Sequence, residues 1–84
     1  MKKIIMLTQD NCPKCVTLKL FLEAGLKNQY AQHIEIVKRE VNSKQFNALV
    51  RKHGIMTTPA LIEDDALLLN PDATNTEAFI KAHI

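Results

Sequence analysis

The sequence predicts an α/β fold in the order β-α-β-α-β-β-α: a four-stranded mixed sheet flanked by helices on both faces. Three observations predict it. Short apolar runs of strand length stand at Ile4–Leu7, His33–Val37, Ala60–Ile62 and Ala66–Leu69. Most of the stretches between them repeat their apolar residues at helical spacing. Breakers fall where one element should yield to the next, at Pro13, Gly54, Thr57-Thr58-Pro59 and Asn70-Pro71. At 84 residues the chain suits a single domain spanning 1–84.

Ile4-Ile5-Met6-Leu7 is continuously apolar, as a strand buried on both faces should be. Proline is favoured at the first helical position, so a helix should open at Pro13. It buries Cys15, Leu18, Phe21 and Leu22 on one stripe, with Lys14 and Lys19 off it, and stops at Gly25 or Leu26. His33–Val37 partly alternates and forms the second strand. Asn42 with Gln45 three residues later resembles a capping pair. The helix it opens carries Phe46, Leu49, Val50 and His53 on one face, and Gly54 takes the position after its end. Ala60-Leu61-Ile62 is the third strand, Asp64-Asp65 a tight turn, and Ala66–Leu69 the returning strand. After Asn70-Pro71-Asp72, Thr74 with Glu77 gives a second capping pair. The short last helix is lined by Phe79, Ile80 and His83. The strands joined by helices should be parallel and the last two a hairpin.

The hydrophobic fraction, 46%, is enough for one core even in a chain this short. Eleven basic against nine acidic side chains leave a net charge of +2, without the basic stripe and interleaved aromatics of a nucleic-acid binder. No segment approaches the roughly 20 apolar residues of a membrane span. The run Ile4–Leu7 is too short for a secretory leader, whose apolar region needs roughly 7–15 residues. A cytoplasmic monomer with no nucleic-acid or membrane partner is expected.

Both cysteines stand in Cys12-Pro13-Lys14-Cys15. So short a loop is a weak staple, worth at best about 2 kcal/mol in the loop-entropy model, so chemistry explains the pair better than stability does. With Pro13 first in the helix, Cys12 is its N-cap, and its sulfur can accept from the Lys14 and Cys15 backbone N–H groups. The helix dipole and the Lys14 ammonium also favour thiolate over thiol. Cys12 is therefore the candidate nucleophile. Cys15 is on the same side of the first turn and begins the buried stripe, which suits a resolving thiol that displaces the product from Cys12. A C-x-x-C also begins zinc sites, but a closed site needs four ligands. His33, His53 and His83 are not paired at ligand spacing, so no metal is expected within the chain. The alternative is a zinc ion or iron–sulfur cluster held between two chains.

Two motifs together resemble the thioredoxin superfamily: Cys12-Pro13-Lys14-Cys15 after the first strand, and His53-Gly54-Ile55-Met56-Thr57-Thr58-Pro59-Ala60-Leu61 before the third. The element order fits that fold along essentially the whole chain. The resemblance implies a cis Thr58–Pro59 bond opposite the cysteines, with the Thr58 backbone free to pair with an extended substrate segment. It implies a dithiol–disulfide oxidoreductase acting on disulfide-containing proteins, with no bound cofactor. A reductase or glutathione would serve as electron donor. Catalytic roles fall to Cys12 and Cys15, thiolate tuning to Pro13 and Lys14, and substrate binding to Thr58 and Pro59.

The length is that of glutaredoxins and glutaredoxin-sized thioredoxins. Gln9 stands where glutaredoxins usually carry a cation, and Leu69-Asn70-Pro71-Asp72 where they carry two glycines and an acid. Met6 stands where larger thioredoxins have a buried aspartate. A glutathione-dependent glutaredoxin is the nearer alternative. Lys38, Arg39, Lys44, Arg51 and Lys52 read as a solvated basic face. His53 reads as a favourable cation at a helix end. Asp10, close to Cys12, can oppose thiolate formation or relay a proton.

Overall fold

The computed structural model describes residues 3–84. Strands β1 (Ile4–Thr8), β2 (Ile34–Lys38), β3 (Ala60–Glu63) and β4 (Ala66–Leu69) form one mixed open sheet. The helices are α1 (Pro13–Leu20), α2 (Ser43–His53) and α3 (Ala73–His83). The expected α/β architecture and element order are therefore present. A π-helical turn, Phe21–Gly25, and a 3₁₀ turn, Ala31–His33, are added to them.

Alternation along the strands assigns the two faces. Leu7, Ala60 and Ile62 point to one side, with Val37, and pack with Phe46 of α2 and Ile55. Ile4, Met6 and Leu61 point to the other and pack with Leu18 of α1 and Ile80 of α3. Phe21 and Leu22 of the expected stripe are only half-buried, against this second cluster. At Gly25, the last residue of the widened turn, the Phe21 ring lies over the bare Cα, where a Cβ would stand 2.7 Å from the ring.

The sheet order is β2-β1-β3-β4. β1 and β2 are parallel, with Ile4 opposite Ile34 and Thr8 opposite Lys38. β3 and β4 form the expected hairpin around Asp64 and Asp65. The expectation that every helix-joined strand is parallel fails for β3, which runs antiparallel to β1. The reason lies in where segment 54–59 delivers the chain. Ile55 packs with Leu7 and Phe46, and Val50, Ile55, Thr57 and Thr58 line one cavity with Gln9, so the chain is already at the cysteine end of β1 when β3 begins. Ala60 then pairs with Leu7, at the same end of β1 from which the chain leaves for the cysteines.

Two caps differ from expectation. Asn42 precedes α2 but does not cap it with its side chain. Its Oδ1 accepts from the Lys38 N–H (3.3 Å), while Gln45 donates to Glu35 (3.2 Å). Both side chains are drawn to β2 instead. α3 is capped by Asp72, which accepts from the N–H groups of Thr74 (2.9 Å) and Asn75 (2.8 Å). Asn75 closes the reciprocal bond to the Asp72 N–H (2.6 Å). The box thus sits two residues before the expected Thr74–Glu77 pair, because a carboxylate directly after Pro71 reaches the first free N–H groups. Gly54 ends α2 as expected, at φ 63°. No described helix is long and apolar enough to cross a membrane.

Candidate functional site

β1 ends at Thr8, the chain turns through Gln9-Asp10-Asn11, and α1 starts at Pro13. Asn11 makes that turn with φ 56°, a left-handed conformation asparagine tolerates better than most residues. Cys12 is extended and caps α1: its Sγ accepts from the Cys15 N–H at 3.1 Å. Of the two N–H groups expected to reach the sulfur, it is Cys15's that does. Cys12 and Cys15 form a disulfide, with Cα atoms 5.2 Å apart. Both are nearly enclosed, Cys12 at 9% exposure and Cys15 at 5%. Cys12, the residue at the cap, is the more exposed of the two.

The segment before β3 closes the other side. Thr58–Pro59 is a cis peptide bond. Pro59 is buried and Thr58 half-buried. The Cys12 Sγ lies 3.8 Å from the Thr58 carbonyl oxygen and 3.6 Å from its Oγ1. The fold thus gathers Cys12, Cys15, Thr58 and Pro59 at one end of the sheet. Pro13 and Lys14 are exposed beside them. Lys14 borders a largely apolar groove of about 400 Å³ with Leu18, Phe21, Pro59, Pro71 and Asp72.

The chain around Gln9–Asn11 is fastened to the end of β2, and no local sequence pattern shows it. Lys38 Nζ lies 2.8 Å from Asp10 Oδ1. The Asp10 N–H donates to Glu40 Oε1 (3.0 Å), and the Arg39 N–H to the Thr8 carbonyl (3.0 Å). Arg39 Nη1 donates to Gln9 Oε1 (3.2 Å). A hydrogen bond from Lys38 to Asp10 and the attraction of the Asp10 charge raise the Lys38 pKa above the usual lysine value of 10.5. Lys38 and Arg39 are thus engaged beside the site, which separates them from the rest of the expected solvated basic face. His53 is half-buried at the end of α2. Among the described residues its Nε2 has no hydrogen-bond partner, and no group of three His, Cys, Asp or Glu side chains is gathered as for a metal ion.

Comparison of the chain with protein-family models, curated proteins and solved structures finds no match.

The site's chemistry follows from its donors. The sulfur at the cap of α1 has an N–H aimed at it and a helix N-terminus behind it, both of which favour negative charge there. With the pair oxidised there is no thiol proton, so the Thr58 hydroxyl is the group that can donate between the two. The neighbouring sulfur of Cys15 is placed to open or close the bond.

Proposed function

We propose that the protein is a thioredoxin-like dithiol–disulfide oxidoreductase that reduces disulfides in other proteins. The observation that carries this is the Cys12 sulfur, capping α1 within 3.1 Å of the Cys15 N–H and facing Thr58 across 3.8 Å. The disulfide, the cis bond before Pro59 and the order of the elements support it.

In the reduced protein the Cys12 thiolate attacks one sulfur of the substrate disulfide. A Cys12–substrate bond forms, the substrate S–S bond breaks, and the departing thiolate takes a proton from water. Cys15, as thiolate, then attacks the Cys12 sulfur. The mixed disulfide breaks, the second substrate thiol is released, and the Cys12–Cys15 bond forms. Two electrons pass to the substrate and the protein's dithiol is oxidised. An external thiol or reductase must supply those electrons for the next cycle. The exposed Lys14 ammonium adds positive charge near the sulfurs. The Thr58 backbone offers an edge for an extended substrate segment.

The test is insulin disulfide reduction with dithiothreitol as donor. The wild type accelerates it and Cys12→Ser does not. A Cys12→Ser protein as fast as the wild type would sink the reading.

One observation favours glutathione as the donor. The Arg39 guanidinium meets Gln9, so a cation stands beside the position where glutaredoxins usually carry one. Arg39, Gln9, Thr57 and Thr58 line one cavity of about 260 Å³. Offering the oxidised protein glutathione, or an NADPH-linked thioredoxin reductase, decides between the two donors.

A further inference from the structure

We propose that Lys38, at the end of β2, is a positioning residue for the Cys12 sulfur: it pins and neutralises Asp10, whose charge otherwise opposes the Cys12 thiolate. This rests on the dithiol reading above and says how its nucleophile is set.

Asp10 precedes Cys12 by two residues, and Asp10, Lys38, Cys12 and Cys15 line one cavity of about 230 Å³. An unpaired carboxylate facing that space disfavours a second negative charge on sulfur. The parallel register puts Lys38 directly opposite Thr8, the last residue of β1, so its side chain reaches the turn that follows. Its Nζ meets Asp10 Oδ1 at 2.8 Å. The hold is reinforced from the same segment: Glu40 accepts from the Asp10 N–H, and Arg39 binds the Thr8 carbonyl and the Gln9 side chain. The turn so held contains Asn11 in its left-handed conformation, immediately before the sulfur-bearing residue.

The other charges around the sulfurs do not do this work. Lys14 on α1 is turned to the groove it shares with Asp72 at the start of α3, and Lys19 lies further along α1 in the Asp10 cavity. Glu40 pairs with Arg39 at 3.9 Å. Segment 54–59, packed on the far side, contains no titratable residue. Asp10 is the carboxylate of the cavity, and Lys38 is the cation paired with it.

The experiment follows the Cys12 thiolate of the reduced protein against pH, by absorbance at the thiolate band and by iodoacetamide alkylation mapped to Cys12. It compares the wild type with Lys38→Met, Lys38→Arg, Asp10→Asn and the Asp10→Asn/Lys38→Met double variant. One exposed unit charge at about 8 Å shifts a titration by roughly 0.3–0.5 pH unit. Lys38→Met should therefore move the midpoint up by that amount, a two- to threefold loss of thiolate below it. Asp10→Asn should move it down. The double variant should return to within about 0.1 unit of the wild type, and Lys38→Arg should match it. An unmoved midpoint in Lys38→Met, or a double variant still displaced, overturns the proposal. Should Lys38→Met fail to melt cooperatively, Asp10→Asn alone decides, because its midpoint must fall. Insulin reduction is measured in parallel. A wild type without that activity refutes the dithiol reading, while the order of thiolate midpoints still judges Lys38.

Discussion

The Thr58 hydroxyl oxygen lies 3.6 Å from the sulfur of Cys12, although the two residues are 46 positions apart in the chain. A hydroxyl there donates only weakly to a disulfide sulfur but strongly to a thiolate, so it favours the reduced, ionised form. Thr58→Val keeps the shape and removes that donor. The Cys12 thiolate midpoint should rise by about 0.5 pH unit, and the rate of insulin reduction at pH 7 should fall roughly threefold. Alkylation rates against pH check the first. An unchanged midpoint would mean that Thr58 acts through its backbone alone.

The two sulfurs have unequal surroundings. Cys12 caps the helix at the mouth of the site, while Cys15 lies within the first turn and is less exposed. Cys15→Ser should therefore leave attack intact and remove resolution. Incubated with a disulfide-bearing protein, that variant should accumulate a mixed disulfide through Cys12, visible as a covalent adduct by mass spectrometry under non-reducing conditions. Cys12→Ser should accumulate little. Adducts on Cys15 in Cys12→Ser, with none on Cys12 in Cys15→Ser, would reverse the roles.

The cap of α3 separates a sequence pattern from the bond that forms. Asp72→Ala removes both acceptor contacts to Thr74 and Asn75 and should cost about 1 kcal/mol, or roughly 4–8 °C in Tm for a chain this size. Glu77→Ala, at the other pattern's acid, removes only an exposed pair with Lys81 at 3.7 Å and should change Tm little. Thermal unfolding followed by circular dichroism compares the two. Equal losses would put the cap back at Thr74.

Such contrasts show where the sequence was legible. Ile4–Leu7 and Ala60–Ile62 read as strands because their pattern is local, and Gly54 read as a helix end because few residues take its backbone angles easily. Cys12 read as a cap because Pro13 marks where α1 must start. What escaped depends on neighbours remote in the chain. Lys38 meets Asp10 only because β1 and β2 pair in one register. Asn42 was claimed by Lys38 rather than by its own helix, and Gln45 by Glu35. The direction of β3 depended on where segment 54–59 sits against the end of β1. The cis bond at Pro59 came from the family resemblance and not from the residues themselves.

Thr76 offers a stability test away from the cysteines. It is fully buried in α3, and among the described residues its Oγ1 has no hydrogen-bond partner. A buried hydroxyl without a partner loses its water and gains nothing in return, a cost of about 1–3 kcal/mol. Valine has nearly the same shape and a similar helix propensity, and puts a methyl group in place of the hydroxyl. Thr76→Val should therefore stabilise the fold by about 1 kcal/mol, raising Tm by roughly 4–8 °C, while insulin reduction stays at the wild-type rate. Thr76→Ala should lose stability, because it removes the hydroxyl and leaves a cavity as well. A Tm that falls in Thr76→Val would show that the hydroxyl is satisfied, and that α3 is held to the sheet by a polar contact rather than by packing alone.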